Sequence, residues 1–172
     1  MTNQLAFDFV VNKEKGTITV KREFAAELPI VWDAYTKSEI LDQWWAPKPW
    51  KARTKTMDFT EGGSWHYAMV GPNGEEHWAV VNYKTIENQK KFLGVDAFTD
   101  ADGNVNKDLP QAQWEINFTP KGSVTLVESL ITYDDPAQLE TILNMGMKEG
   151  LTIAMEGLDQ LLPSLKTQAK TI

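Results

Sequence analysis

Trp44-Trp45-Ala46-Pro47-Lys48-Pro49-Trp50 is the most informative stretch of this chain, and Gly62-Gly63-Ser64-Trp65 follows it closely. Together the two stretches hold four of the seven tryptophans in 172 residues. Each aromatic side chain buries about 150–250 Å² when it leaves water, which is worth roughly 4–6 kcal/mol at about 25 cal/mol per Å². Tryptophans concentrated in this way must line a core, a cavity or an interface, so function is to be sought here.

The patterns before this stretch predict strands first and helices next. A hairpin over 6–26 opens the chain, because two segments rich in β-branched residues flank a polar, glycine-containing turn. Two short helices over 29–36 and 39–45 follow it. We expect Ser38 to cap the second helix and Pro47 to end it.

The segments after this stretch predict an antiparallel meander and then one long helix. Segments that alternate, or are rich in β-branched and aromatic residues, are separated by glycine- and asparagine-rich turns and lie at 51–60, 64–70, 77–86, 91–98, 113–119 and 123–133. Apolar residues at helical spacing then predict a helix over 135–166. A stripe of small residues runs beside them: Gly146, Gly150, Ala154 and Gly157. Glycine inside a helix costs roughly 0.5–1 kcal/mol, so the stripe indicates close packing against the sheet or room for a ligand.

Composition restricts the class of protein. With 42% hydrophobic and 24% charged residues, the whole chain, 1–172, fits one globular domain. The absence of cysteine excludes thiol catalysis and a disulfide scaffold. No signal segment and no apolar run long enough to cross a bilayer is present, so we expect a cytoplasmic protein. A net charge of −7 argues against nucleic acid and membranes as partners.

The order of several short motifs makes the resemblance specific. They lie at 19–24, 31–36, 41–47, 58–65, 71–74, 146–150 and 158–161. In this order they resemble the homologues of the activator of the heat-shock-protein-90 ATPase, within the START/Bet v 1-like superfamily, over about 18–165. Two positions depart from the family, which usually has glycine where Ala46 stands and often an aromatic residue where Met147 stands.

The resemblance implies an α+β helix-grip fold. In that fold a curved antiparallel sheet of about six or seven strands wraps around a long C-terminal helix, with two short helices after the first core strand. Residues 1–16 would then be an extra N-terminal strand or arm. Exposed edge strands make a homodimer plausible. The family's name suggests a chaperone as partner and a role in the stress response.

Strand alternation predicts which side chains face the helix. A hairpin centred on the turn at 71–74 would place Trp65, Tyr67 and Met69 on one face with Trp78 and Val80, and His66 with His77 on the other. We interpret the two histidines as exposed polar residues and not as metal ligands.

A charge interrupts an inward apolar row on each of two strands that the family topology makes neighbours. These charges are Arg22 and Glu128, so we predict an inward ion pair. Its role would be structural specificity or, alternatively, the anchoring of a ligand's polar head group.

The main hypothesis is a protein that binds a small hydrophobic or aromatic molecule, or a lipid, in an apolar cavity between sheet and helix. The predicted lining consists of Trp45, Trp50, Trp65, Tyr67, Trp78, Trp114, Met147 and Leu151, with Arg22 and Glu128 as polar candidates. The alternatives are a solid aromatic core, a chaperone-interacting module, and a cyclase- or hydratase-like enzyme in which Arg22, Glu128 or Tyr67 polarises the substrate. No catalytic residue, metal site or cofactor is predicted.

Overall fold

The computed structural model describes residues 5–170; the start of the predicted N-terminal arm, 1–4, and residues 171–172 lie outside the described part. Its elements, in chain order, are β1 (Phe7–Asn12), β2 (Thr17–Phe24), α1 (Leu28–Thr36), α2 (Ser38–Trp44), β3 (Lys51–Met57), β4 (Ser64–Val70), β5 (Glu76–Glu87), β6 (Lys91–Thr99), β7 (Ala112–Lys121), β8 (Val124–Tyr133), α3 (Pro136–Asn144) and α4 (Met147–Lys170). Among the described residues, no helix has the length and apolar character needed to cross a membrane.

The strands form one antiparallel, curved sheet in the order β1-β2-β8-β7-β6-β5-β4-β3. The predicted α+β helix-grip architecture is therefore confirmed. The sheet has eight strands instead of six or seven, because β1 pairs along its whole length with β2 and extends the sheet at that edge. The crossover that joins β2 to β8 brings the first core strand beside the last one.

The helical ends differ from the prediction in two places. The single helix expected over 135–166 is wrong, because Gly146 has a φ of 87° and separates α3 from α4. That left-handed conformation suits glycine and ends a helix. At α2 the predicted cap is also wrong, since Lys37 is the N-cap residue and no side chain caps the helix. Asp135 does cap α3, accepting a hydrogen bond from the Ala137 amide at 2.9 Å.

The core lies between the concave face of the sheet, α1, α2 and α4. Helix α4 contributes Ala154, Met155, Leu158 and Leu162, all buried, and β2 contributes Ile18, Val20 and Phe24. Trp32 of α1 packs edge-on against Phe118, with their ring centroids 4.9 Å apart. Phe59 and Phe92 complete this part of the core, which is filled by aromatic rings.

The register of the sheet corrects two predictions about faces. Tyr67 lies opposite Ala79, so Trp78 points to the outer face, opposite the face that carries Trp65 and Tyr67. The loop between β4 and β5 spans five residues, 71–75, and a shift of one residue reverses every side chain of a strand. Similarly, Glu128 lies opposite Lys21, whereas Val127 is the residue opposite Arg22. The predicted pair of Arg22 with Glu128 is therefore wrong.

The stripe of small residues on α4 has mixed roles. A methyl group added at Gly150 would lie 3.6 Å from the Cγ of Pro47, an ordinary contact, whereas one added at Gly157 would meet nothing within 4 Å. Gly150 therefore packs against Pro47, whereas Gly157 borders open space.

Gly157→Ala should raise the free energy of unfolding by about 0.5–1 kcal/mol, because alanine has the higher helix propensity and nothing obstructs its methyl group. Gly146→Ala is the matched contrast and should lower it by at least about 1 kcal/mol, since its φ of 87° strains any other residue. Urea unfolding of both variants measures the effects. A destabilised Gly157→Ala protein would contradict the open space at that position.

Candidate ligand-binding cavity

A cavity of about 260 Å³ lies between the sheet and the junction of α3 with α4. Its volume is close to the lower end of the roughly 300–1,000 Å³ typical of ligand pockets, so an occupant must be small. The lining is mostly apolar and comprises Trp45, Pro47, Tyr67, Met69, His77, Ala79, Asp96, Ala97, Phe98, Pro110, Trp114, Tyr133, Ile142, Met145, Gly146, Met147, Gly150 and Leu151.

A second, smaller cavity of about 40 Å³ adjoins the first. The two share Trp45, Tyr67, Asp96 and Trp114 in their linings. These four side chains therefore form the wall between the larger cavity and the aromatic core. Trp65 contributes to the smaller cavity only.

Two hydrogen bonds orient the tryptophans of this wall. The indole Nε1 of Trp45 donates to the Tyr67 hydroxyl oxygen at 2.9 Å, and the ring of Tyr67 stacks on Trp65 with their centroids 4.0 Å apart. The indole Nε1 of Trp114 donates to Oδ2 of Asp96 at 2.8 Å. Each indole thus satisfies its polar atom while its apolar rings remain available to the cavity.

Among the described residues, Asp96 is the only acidic one of the lining, and no lysine or arginine lines the cavity. Its Oδ1 accepts a hydrogen bond from the Ala112 amide at 2.9 Å. Within the described part of the chain its carboxylate has no ion-pair partner within 4.0 Å. Burial raises the pKa of Asp96 from 3.8 to about 6, and the two hydrogen bonds oppose that shift only in part.

The hydroxyl groups near Asp96 keep their protons at neutral pH. Burial raises the pKa of the Tyr67 phenol well above its usual range; the Trp45 hydrogen bond opposes the shift, and the charge of Asp96 adds to it. Burial and the same charge also raise the pKa of Tyr133. The cavity therefore presents neutral phenols beside one carboxyl group that titrates near neutral pH.

Asp96 should make stability depend on pH. Between pH 3.8 and about 6 the folded protein holds a proton on Asp96 that the unfolded chain has released. The stabilising effect of the protonated carboxyl is therefore fully present below pH 3.8 and is lost as the pH rises to about 6. We expect its contribution to the free energy of unfolding to fall by at most about 3 kcal/mol over this window.

Urea unfolding of the wild type and Asp96→Asn at pH 4.5, 5.5, 6.5 and 7.5 isolates this effect, because the other carboxyl groups titrate in both proteins. Asparagine leaves one of the two donors without an acceptor, at a cost of about 1–3 kcal/mol that does not depend on pH. The deficit of the variant should therefore shrink as the pH rises. A deficit that stays constant would show that the pKa of Asp96 is not raised.

The predicted site residues fall into three groups. Those that line the larger cavity are Trp45, Tyr67, Trp114, Met147 and Leu151. Trp65 lines the smaller one, and Trp50 lines neither, although its ring lies 5.3 Å from the ring of His77, which lines the larger one. The remaining three residues, Arg22, Trp78 and Glu128, line neither cavity.

These three residues have other partners. Trp78 packs on the outer face, with its ring 5.6 Å from the Arg53 guanidinium. Glu128 lies near the Lys21 ammonium at 3.8 Å on the surface. Arg22 is buried and forms its ion pair with Asp159 of α4. Neither the head-group anchor nor the polarising role suggested for Arg22 and Glu128 fits these positions.

The two histidines are separated by the sheet. His66 is buried, contrary to the prediction, and its Nε2 lies 3.1 Å from the hydroxyl of Thr99. His77 is exposed at the margin of the larger cavity. Within residues 5–170 no group of three or more potential metal-ligating side chains lies together.

Asp96, the polar centre of the cavity, is not among the site residues predicted from the sequence. A signal was present, since Phe92, Gly94, Asp96 and Phe98 alternate on one face of β6 and the charge interrupts an inward row. The same reasoning that singled out Arg22 applies to it. The missing information was that β6 passes directly beneath the cavity.

The chain matches the family described as "Activator of Hsp90 ATPase homolog 1-like protein" over residues 25–163. A crystal structure of a Mycobacterium smegmatis protein is 30% identical, covers 92% of this chain and 97% of its own, and superposes with a TM-score of 0.84. A solution structure from Arthrobacter aurescens is 27% identical over 91% of both chains, with a TM-score of 0.86. An AHSA1 protein from Silicibacter pomeroyi shares the fold, with a TM-score of 0.67 at 17% identity, over 86% of this chain and 97% of its own. No match was found among curated proteins.

Proposed function

The chain belongs to the family of activator of Hsp90 ATPase homolog 1-like proteins, and from this premise we propose that it binds a small, largely apolar molecule in the cavity beneath α3 and α4. The observation that carries the proposal is the cavity itself, about 260 Å³ in volume and lined by aromatic and aliphatic side chains on the concave face of the sheet. A protein of this size normally fills such space with side chains.

The construction of the cavity wall supports the proposal. Trp45 and Trp114 are held by hydrogen bonds at their nitrogen atoms, so their ring faces are fixed before any ligand arrives. A preorganised wall reduces the entropy that binding costs. The break at Gly146 places Met145 and Met147 at the cavity, and methionine side chains adapt to occupants of different shape.

Naphthalene is a suitable neutral probe, because it has no polar group and is small enough for the space. Binding should quench tryptophan emission and raise the melting temperature, and saturation at 100 times the Kd should add about 2.7 kcal/mol to the stability. Ala79→Phe, on the inner face of β5, should fill the cavity and weaken binding at least tenfold. Val80→Phe places the same ring on the outer face and is the matched control.

Equal loss of binding in both variants would indicate a general disturbance of β5, and unchanged binding in Ala79→Phe would place the probe elsewhere. If naphthalene neither quenches emission nor shifts the melting temperature, the cavity is not a binding site and the proposal fails.

Family membership also suggests a chaperone as a second candidate partner. Such a function would use the surface, so Ala79→Phe should leave it intact. No feature of the described surface favours it over binding in the cavity, and the two are separable by this one variant.

A further inference from the structure

Asp96, which is half-buried, differs from Arg22, the charged residue that is buried in the described structure. Arg22 faces a carboxylate of α4. Asp96 has two neutral donors, the Ala112 amide and the Trp114 indole, and no cation. An ionised carboxylate offers about four lone-pair sites, so about two remain unused at the cavity. The protein alone therefore leaves this charge uncompensated.

The surroundings of that carboxylate favour a cation over any other occupant. The aromatic faces of Trp45, Tyr67 and Trp114 line the same cavity, and a cation is attracted to such faces. An anion such as a fatty-acid carboxylate would meet Asp96 with no lysine or arginine in the lining to offset the repulsion. The raised pKa of Asp96 agrees with a site that lacks its counter-ion.

We propose that the ligand is a small amine, with its protonated nitrogen bound by the carboxylate of Asp96 and its apolar body held between Trp45, Trp114 and Leu151. This inference rests on the proposed cavity function and narrows it to one chemical class. The protonated nitrogen donates hydrogen bonds to the lone pairs of the Asp96 carboxylate that the Ala112 amide and the Trp114 indole leave unused. The cavity volume restricts the body to one or two fused rings or a short chain.

Four other groups can influence the pH dependence of amine binding. Tyr67 of β4, Tyr133 of β8 and His77 of β5 are the other titratable residues of the lining, and α3 and α4 contribute only apolar residues and glycine. Trp114 of β7 is the fourth, through its hydrogen bond to Asp96. Because both phenols stay protonated, His77 is the group that a control variant must remove.

The test compares three probes with one skeleton, phenethylamine, 2-phenylethanol and phenylacetate, by calorimetric titration of the full chain at pH 7.5. We expect the amine to bind at least tenfold more tightly than the alcohol, and the carboxylate to bind most weakly. Lowering the pH to 5 should weaken amine binding about tenfold, because a carboxyl group with a pKa of about 6 is then mostly protonated. The affinity for the alcohol should change less than twofold between pH 7.5 and pH 5. The His77→Gln variant should show the same preference for the amine and the same pH effect as the wild type.

Asp96→Asn should weaken the amine at least tenfold more than it weakens naphthalene, and retained naphthalene binding also shows that the variant is folded. Equal affinities for amine and alcohol, or preference for the carboxylate, would overturn the amine inference while naphthalene binding upheld the cavity function. Absence of binding by all four probes would overturn both. The comparison of amine, alcohol and carboxylate binding to the wild type tests the amine inference even if Asp96→Asn does not fold.

Discussion

Asp159→Leu should lower the free energy of unfolding by about 3–5 kcal/mol, because it leaves a buried guanidinium without its counter-ion. The side chain of Arg22 is only 7% exposed, whereas that of Asp159 is 36% exposed. The Nε of Arg22 has no hydrogen-bond partner in the described structure, and its Nη1 donates to the carbonyl of Glu23. Once Asp159 is gone, water cannot easily reach the stranded charge.

The reverse substitution should cost less. Arg22→Met removes the buried charge and leaves Asp159 near enough to the surface to be hydrated, so we expect a loss of about 1–2 kcal/mol from packing against Phe24. The double variant should be more stable than Asp159→Leu alone. Two residues in contact are expected to show this non-additivity.

Glu128→Gln is the matched control, since its exposed pair with Lys21 spans 3.8 Å and such pairs contribute about 0–1 kcal/mol. Chemical unfolding of the four variants completes the cycle. Additive losses for Arg22 and Asp159, or a loss for Glu128→Gln as large as that for Asp159→Leu, would contradict the pairing seen in the structure.

The pair of Arg22 with Asp159 shows what sequence patterns determine and what they leave open. Alternation along β2 correctly placed Arg22 on the inner face, because Ile18, Val20 and Phe24 mark that face clearly. It did not identify the partner. Asp159 lies on α4, 137 positions away, and the docking of a helix on a sheet depends on tertiary packing that no local pattern encodes.

On β8 the pattern itself was ambiguous. Val124, Leu126 and Leu130 are apolar and yet lie on the outer face with Glu128, while the inner face carries Thr125 and Ser129, both buried. Leu130 is 38% exposed. A strand with apolar residues on both faces does not define which face is inner. The prediction therefore assigns the inner and outer faces of β8 the wrong way round.

The loop between β4 and β5 produced the corresponding error for Trp78. Glycine and proline at 71–74 identified the turn, but the chain uses one more residue, and Gly71 donates its amide hydrogen to the carbonyl of Glu75 at 2.8 Å. Because side chains alternate with period two, one additional residue moved Trp78 outward and His77 inward. The sequence was sufficient to predict that β4 and β5 form, but not the register in which they pair.

Trp44→Ala and Trp45→Ala should have different effects although the two residues are adjacent. Trp44 is 1% exposed, donates to the Ala34 carbonyl at 2.8 Å and packs edge-on against Tyr35 at 5.0 Å. Its removal opens a new void and leaves a carbonyl unsatisfied, so we expect a loss of about 3–5 kcal/mol. Trp45 already borders a cavity, so its removal enlarges existing space and should cost about 1–2 kcal/mol.

Binding should show the opposite order, because only Trp45 contributes a face to the larger cavity. We expect naphthalene to bind about tenfold more weakly to Trp45→Ala. Trp44→Phe, which keeps a ring in the core at a smaller cost, should bind within twofold of the wild type. Urea unfolding and fluorescence titration measure the two orders on the same samples.

If Trp45→Ala lost as much stability as Trp44→Ala and kept full affinity, then Trp45 would be a core residue and the space beside it would have no role in binding. The predicted contrast follows from the direction of two side chains at the end of one short helix, where consecutive residues point about 100° apart, so that one ring enters the core and the next faces the cavity.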